Sequence, residues 1–409
     1  MTAINPQQLE SILKRDLPLG LELLRRMVEI NSFSTNREGV NRLGALTAEA
    51  FALFGFQSKF VASTNTSYGD HLVLTKKGTS TKTVGLITHL DTVFPPEEEQ
   101  RNQFFWRPEG NRIYGPGTMD IKGGTLMIYL VLKALKETAP ALFESITWKV
   151  LANSSEEVLS HDFGALCLRE LGTDTLGALV FECEGRVGTT AALVVARKGR
   201  ATFRVTVEGR AAHAGGRHHH GANAIVQMAL TLQRIATFTD YERELTFNIG
   251  TVSGGTVINR VPHQAVAELE MRAFDSPIYN SGKQLLLALN GPGEIKAADD
   301  GYETQVKVEV LHESPPWPRN EKSDKLFAVF QETARSLGHI VVPQQRGGLS
   351  DGNLICHAVP TLDGLGPWGE NDHCSERTPD GSKDQEYVEV SSFIPKAMLN
   401  VISILKLCQ

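Results

Sequence analysis

The chain has 409 residues, 41% hydrophobic and 22% charged, with a formal net charge of -6; that suits two domains with sizeable cores and, without any Lys/Arg-rich run, excludes the usual nucleic-acid surface. Its five scattered cysteines, Cys167, Cys183, Cys356, Cys374 and Cys408, form no CxxC pair, which excludes a disulfide framework or thiolate zinc site and fits a reducing cytoplasm. The start "MTAINPQQLESILKRD" lacks a charged segment followed by an apolar one, and no apolar stretch approaches the roughly 20 residues of a membrane span, so a cytoplasmic protein without a membrane partner is expected.

In chain order, "LGLELLRRMVEI" has helical spacing, and Pro18 just ahead of it suits a helix start. "NRLGALTAEAFALFGF" is a second helix closing near Gly55. "HLVLT" and "TVGLITHL" read as strands, "GGTLMIYLVLKALKET" as a helix, "ITWKVLA" as a strand, "DFGALCLREL" as a helix and "ALVFECE" as a strand. Such alternation implies a largely parallel sheet with helices on both faces. From about residue 193 the pattern changes. "LVVARKG", "RATFRVTVEGR", "LTFNIGTVSGG", "AVAELEMRAF" and "TQVKVEVL" read as strands, several alternating apolar with polar side chains, interleaved with the helices "GANAIVQMALTLQRIA" and "SGKQLLLALNG". After "HESPPWPRN" the first style returns in the helix "SDKLFAVFQETARSLG", the strand "VPTLDGLG" and the helix "SSFIPKAMLNVISILKLC". The expected fold is α/β: a discontinuous catalytic domain over 1–192 and 312–409, with a mainly parallel mixed sheet, and an inserted α+β domain over 193–311 with one exposed sheet edge.

Metal-type side chains recur at the strand ends, where open α/β sheets place ligand sites. "ITHLDTVFP" offers His89 and Asp91 on one face of extended chain. Asp91 is placed to take the ring N–H of a metal-bound His89, although a His-x-Asp taken alone reads more readily as a satisfied core histidine. Asp120 in "YGPGTMDIKGG" stands just before a helix and could be its N-cap. "NSSEEVLS" places Glu156 and Glu157 after a core strand, "LVFECE" brings Glu182 to another, and "GLGPWGENDHCSE" sets His373 in a polar loop. Five such sites at successive strand ends are hard to read as separate accidents.

The run "HLDTV", "GPGTMDIKGG", "SSEEVLS", "FECEG", "GRAAHAGG", "SGGTVINRVP", "GGLSDGN" and "DGLGPWGENDH" resembles the di-zinc exopeptidase and deacylase family, peptidase family M20, in the correct order over nearly the whole chain. Within it, "DGLGPWGENDH" and Glu182 are most similar to the glutamate carboxypeptidase pattern. The resemblance implies two zinc ions per subunit, about 3.5 Å apart as in two-metal hydrolases generally. Asp120 would bridge them, His89 and Glu182 completing one and Glu157 and His373 the other. Two divalent cations, three carboxylates and a hydroxide sum to zero, far cheaper to bury than bare carboxylates. Cobalt or manganese would suit the same ligands.

In that pattern Glu156 is the general base, because adjacent residues of extended chain point opposite ways. Ser154 and Ser155 depart from the acidic residue that many relatives carry before the Glu pair, which implies altered hydrogen bonding behind the site. His213 would stabilise the oxyanion, acting on the partner subunit; read alone it is an ordinary loop histidine. Asn259 and Arg272 would hold a substrate carboxylate, with Gly348 and Ser350 bordering it. A planar guanidinium suits that task, and a strand-surface salt bridge is the competing, lesser reading of Arg272. His218, His219 and His220 read as a solvated loop and Cys374 as a packing residue. The inserted domain would be a ferredoxin-like lid and dimerisation domain. The function implied is hydrolysis of an amide bond next to a free carboxylate in short peptides or N-acyl amino acids, by a homodimer. The rivals are an acetylornithine deacetylase or succinyl-diaminopimelate desuccinylase type of deacylase, and a non-catalytic metal-binding protein on the same fold.

Overall fold

Thr83–His89 is buried at all seven positions, which is why it reads as an unbroken apolar run rather than an alternating one. In the computed structural model, which describes residues 4–158 and 160–409, this strand lies inside a six-stranded mixed sheet. Leu159 of the "SSEEVLS" run and the first three residues lie outside the described residues. The strand order is Gln57–Ala62, Asp70–Lys76, Thr147–Asn153, Thr83–His89, Thr175–Val180, Thr361–Leu362. The first two pairings are antiparallel and the last three parallel.

Both faces of the sheet are covered. Leu86, Val150 and Leu179 pack into one core with the helices Pro6–Val28, Lys122–Thr138 and Val390–Cys408. Ile87, Leu151 and Val180, one residue on in each strand, pack on the other side with Phe163 and Leu166 of the helix His161–Leu171, as a period of two requires. The parallel register sets His89 level with Asn153 and Ile87 level with Val180. Three strands therefore deliver their carboxyl ends to one rim.

The chain divides into two compact units, one of Met1–Val195, Arg319–Gln345 and Ser350–Gln409, the other of Ala196–Pro318 and Arg346–Leu349. The second holds a five-stranded antiparallel sheet in the order Thr246–Gly254, Gln264–Ala273, Gly199–Glu208, Glu303–Ser314, Gly291–Lys296. Alternate residues, among them Phe203, Val205, Leu269 and Met271, build its core with the helices Ala224–Ala236 and Ser276–Leu287. The edge strand Thr246–Gly254 is mostly exposed.

Several elements differ from the sequence reading. The first helix begins at Pro6, where Asn5 accepts the N–H groups of Gln7 and Gln8, and Pro18 lies inside it. Lys14 and Pro18 are both exposed, so the carbonyl that Pro18 leaves without a donor faces water. "ALVFECE" ends as a strand at Val180, and Glu182 lies just beyond. The edge strands Gln57–Ala62 and Gly291–Lys296 were not legible. Val390–Cys408, despite Pro395, has a mean hydropathy of 1.4 and the length to span a membrane. Here it is a core helix, and two of its polar groups find partners inside: Lys396 Nζ lies 3.2 Å from Glu184 and Asn400 donates to Leu365 O at 2.9 Å.

Candidate functional site

The rim formed by the strand ends gathers the chemistry. His89 Nε2 lies 3.0 Å from Asp120 Oδ1 and 3.8 Å from Glu182 Oε1. His373 Nε2 lies 3.3 Å from Asp120 Oδ2 and 3.3 Å from Glu157 Oε2. Among the described residues, His89, Asp120 and Glu182 form one group with metal-ligand proximity, and Asp120, Glu157 and His373 form another, with Asp120 shared. His373 sits at φ 62°, a conformation rare outside glycine and concentrated at functional sites.

Asp120 is not the helix N-cap. The helix begins at Lys122, and its cap residue Ile121 makes no side-chain bond. Two glycines let that helix approach. A Cβ on Gly123 would stand 2.2 Å from Thr118 O, and one on Gly124 would stand 2.1 Å from Phe181 O, the residue before Glu182. The "KGG" of the motif thus permits close contact between the helix start and the end of the neighbouring strand.

Asp91 does something other than the sequence pattern suggested. The His89 Nδ1–H donates to the Asp91 main-chain carbonyl at 2.9 Å, while the Asp91 carboxylate is 3.5 Å away. That carboxylate instead accepts the Glu156 N–H at 2.9 Å, the Glu157 N–H at 3.2 Å and the Ser34 hydroxyl at 2.7 Å. It anchors the backbone of the Glu-Glu pair. With Nδ1 donating to a carbonyl, a neutral His89 turns its Nε2 lone pair toward Asp120 and Glu182. Either the ring carries a charge or a cation belongs between them.

The two serines before the Glu pair are also accounted for. Ser154 donates its N–H to buried His71 Nδ1 at 3.2 Å and its hydroxyl to Gly69 O at 2.8 Å. His71 Nε2 faces Asp162 at 3.2 Å, and Asp162 also accepts from Thr64 N and Ser160. Ser155 donates its hydroxyl to Ser160.

The electrostatics are those of crowded carboxylates. Burial, reinforced by Glu182, Asp351 and Glu157, pushes the Glu156 carboxyl well above its ordinary range. Burial and the Asp120 carboxylate push Glu157 up to about 7. Burial would raise Asp120 too, but His373 and His89 hold it below the usual carboxylate range. Hydrogen bonds with Asp120 and Glu157 raise His373 to about 11. Burial opposes a charge on His89, yet Asp120, Asp91 and Glu182 hold it well above its ordinary value. Among the described residues Glu157 Oε1, which is buried, has no hydrogen-bond partner, an arrangement that costs free energy unless something positive satisfies it. The donor set therefore fits hard or borderline divalent cations.

Further residues near the site carried no sequence signal of their own. Asp351, raised to about 7 chiefly by burial, accepts from Asn153 at 2.7 Å. Glu386, fully buried, accepts the N–H groups of Met119 and Asp120. Cys374 is half-exposed rather than packed.

His213, Asn259, Arg272 and Gly348 belong to the second unit. His213 is exposed and its Nδ1 accepts from Gly215 and Gly216. Asn259 is exposed and its carbonyl accepts from Ala214 N. Arg272 pairs with Glu270 at 2.9 Å and donates to Gly347 O at 2.8 Å. Gly348 O accepts from Arg197. Ser350, in the larger unit, is buried and donates to Asp363 at 2.9 Å. The triple histidine is not simply solvated, because His220 pairs with Asp299, which Arg210 also holds.

The family model described as Peptidase family M20/M25/M40 matches residues 85–396. Carboxypeptidase G2 of Pseudomonas sp. (strain RS-16) is 28% identical over 386 residues, covering 93% of this chain and 87% of that protein. Acetylornithine deacetylase of Klebsiella pneumoniae (strain 342) is 24% identical over 335 residues, covering 76% and 80%. The crystal structure of aminopeptidase PepT from Bacillus cereus superposes with a TM-score of 0.73 at 21% identity, over 99% of this chain and 100% of that one; the likeness is one of fold.

Proposed function

The chain belongs to peptidase family M20/M25/M40, a hydrolase family, and from that premise we propose that it is a two-zinc hydrolase of glutamate carboxypeptidase type. It cleaves an amide bond next to a free carboxylate in short peptides or N-acyl amino acids. The observation that carries this reading is the pair of ligand groups sharing Asp120, with the buried Glu157 Oε1 left without a partner among the described residues.

His89, Asp120 and Glu182 would hold one ion and Asp120, Glu157 and His373 the other, the histidines as neutral ligands. Cobalt or manganese would suit the same groups. Bound ions would supply Lewis-acid polarisation of the scissile carbonyl and acidify water at the site. Glu156 takes a proton from the attacking water at its carboxylate and returns it to the leaving nitrogen. Asp91 fixes where Glu156 stands, through its N–H. By family pattern we assign His213 to the oxyanion, and Asn259 and Arg272, with Gly348 and Ser350, to the substrate carboxylate. Homodimerisation through the exposed edge strand Thr246–Gly254 and a cytoplasmic location belong to the same reading.

The similarity to an acetylornithine deacetylase favours one other reading, removal of an acyl group from an amino acid. A hydrolysis screen separates the two. Folyl-glutamate-like compounds and dipeptides ending in an acidic residue should be turned over fastest. Turnover confined to N-acetyl or N-succinyl amino acids would make the protein a deacylase.

A further inference from the structure

The groups around Asp120 and His373 are carried by two loops far apart in sequence, and one residue stands between them. The strand Tyr387–Glu389 pairs on one side with Arg112–Tyr114 and on the other with Gly369–Glu370. Its register sets Tyr387 opposite Tyr114 and opposite Glu370. The loop leading to Asp120 leaves after Tyr114, and the loop holding His373 leaves after Glu370. Glu386, the residue before the strand, therefore sits where both loops depart.

All its polar groups but one are committed to those loops. Its main-chain N–H donates to Cys374 O at 2.8 Å, next to His373. Its main-chain carbonyl accepts from Gly115 N at 3.4 Å, at the start of the Asp120 loop. Its side-chain Oε1 accepts from Met119 N at 2.9 Å and from Asp120 N at 3.2 Å. Gln385 ties the His373 loop again, donating to Ser375 O at 2.8 Å and accepting from Asn371 Nδ2 through its carbonyl at 3.4 Å. Glu386 is wholly buried, so water cannot substitute for these bonds.

We propose that Glu386 is a positioning residue for the Asp120–Glu157–His373 group: it sets the spacing between the bridging aspartate and the histidine, and with it the affinity for the cation held there. The inference rests on the two-ion reading above. His89 and Glu182 come from the strand ends Thr83–His89 and Thr175–Val180, which Glu386 does not touch, so the two ligand groups should respond unequally. Residues that orient ligands through hydrogen bonds typically change metal affinity by about 10–100-fold when removed.

The test is cobalt(II) titration of the metal-free full chain, followed by visible absorption, with thermal unfolding measured in parallel. Wild type should bind two equivalents. Glu386→Ala should weaken one step by about 10–100-fold and the other, which shares Asp120 but neither Glu157 nor His373, by less. Glu386→Gln keeps an acceptor oxygen at the same reach and should restore both steps. Glu386→Asp keeps the charge but is one carbon short, so it should behave like the alanine variant, and it serves if alanine does not fold. Two unaltered steps in both the alanine and aspartate variants would overturn the proposal. So would equal weakening of both steps, which marks a merely structural role. If wild type itself binds no cobalt, the two-ion reading has failed and Glu386 has no group to position.

Discussion

Asp91→Asn tests how the Glu156–Glu157 backbone is held. The wild-type carboxylate accepts three hydrogen bonds, at 2.9, 3.2 and 2.7 Å, from Glu156 N, Glu157 N and Ser34, and the residue is 1% exposed. Bonds to a charged acceptor are worth about 1.5–3 kcal/mol each, against about 0.5–1.5 for neutral pairs. Neutralising the acceptor thus costs about 1 kcal/mol per bond, or about 3 in all. The amide nitrogen also cannot accept. Ser34 can rotate its hydroxyl away, but the Glu157 N–H cannot turn, which adds about 1–3 kcal/mol. A loss of about 4–6 kcal/mol lowers the unfolding midpoint by roughly 10–20 °C at about 2–4 °C per kcal/mol. A shift of Glu156 by about 1 Å lowers kcat by about 100-fold. The assays are calorimetry and steady-state kinetics in zinc-containing buffer, with Ser34→Ala as the one-bond comparison. An Asp91→Asn protein that melts within about 1 °C of wild type with its kcat intact would refute the reasoning.

Three further outcomes are expected. Gly124→Ala sets a methyl 2.1 Å from the Phe181 carbonyl, so it should cost about 1–3 kcal/mol in thermal stability and weaken metal binding through the displaced Glu182, as equilibrium dialysis would read. Burial works against a charge on Asp162, but Thr64 N, His71 and Ser160 hold its carboxyl below the ordinary range. Its stability contribution is therefore complete above an ordinary carboxylate pKa of about 4 and is lost as pH falls below it; Asp162→Asn should flatten the acid limb of a stability-against-pH curve. Arg272→Ala should raise KM for substrates with a free carboxylate far more than for their amidated counterparts, and an equal rise for both would leave Arg272 as the partner of Glu270 and Gly347 alone.

The five side chains His89, Asp120, Glu157, Glu182 and His373 were legible because each stands in a short polar run after an apolar strand or in a Gly-rich loop. Their grouping follows from three parallel strands ending in register. What holds them was not legible. Glu386 is 266 residues from the Asp120 N–H it accepts, and nothing in "QEYVEV" marks its side chain as buried. His71 and Asp162 meet Ser154 only because Asp70–Lys76 pairs with Thr147–Asn153. Asp91 was picked out by its spacing from His89, but spacing cannot tell a main-chain acceptor from a carboxylate. The strand Gln57–Ala62 was missed because it is exposed at five of six positions and so carries no alternation, and Pro18 misled because its missing N–H falls on the solvent side of a helix already capped by Asn5.

The most direct test of the proposed chemistry is Glu156→Gln, assayed for bound metal by elemental analysis and for turnover on the same preparation. Glu156 belongs to neither ligand group, so the variant should keep two equivalents of metal while kcat falls by about 100- to 10,000-fold, the usual worth of a positioned acid-base group. Retained turnover would remove Glu156 from the proton transfer, and loss of metal along with activity would make it a ligand instead.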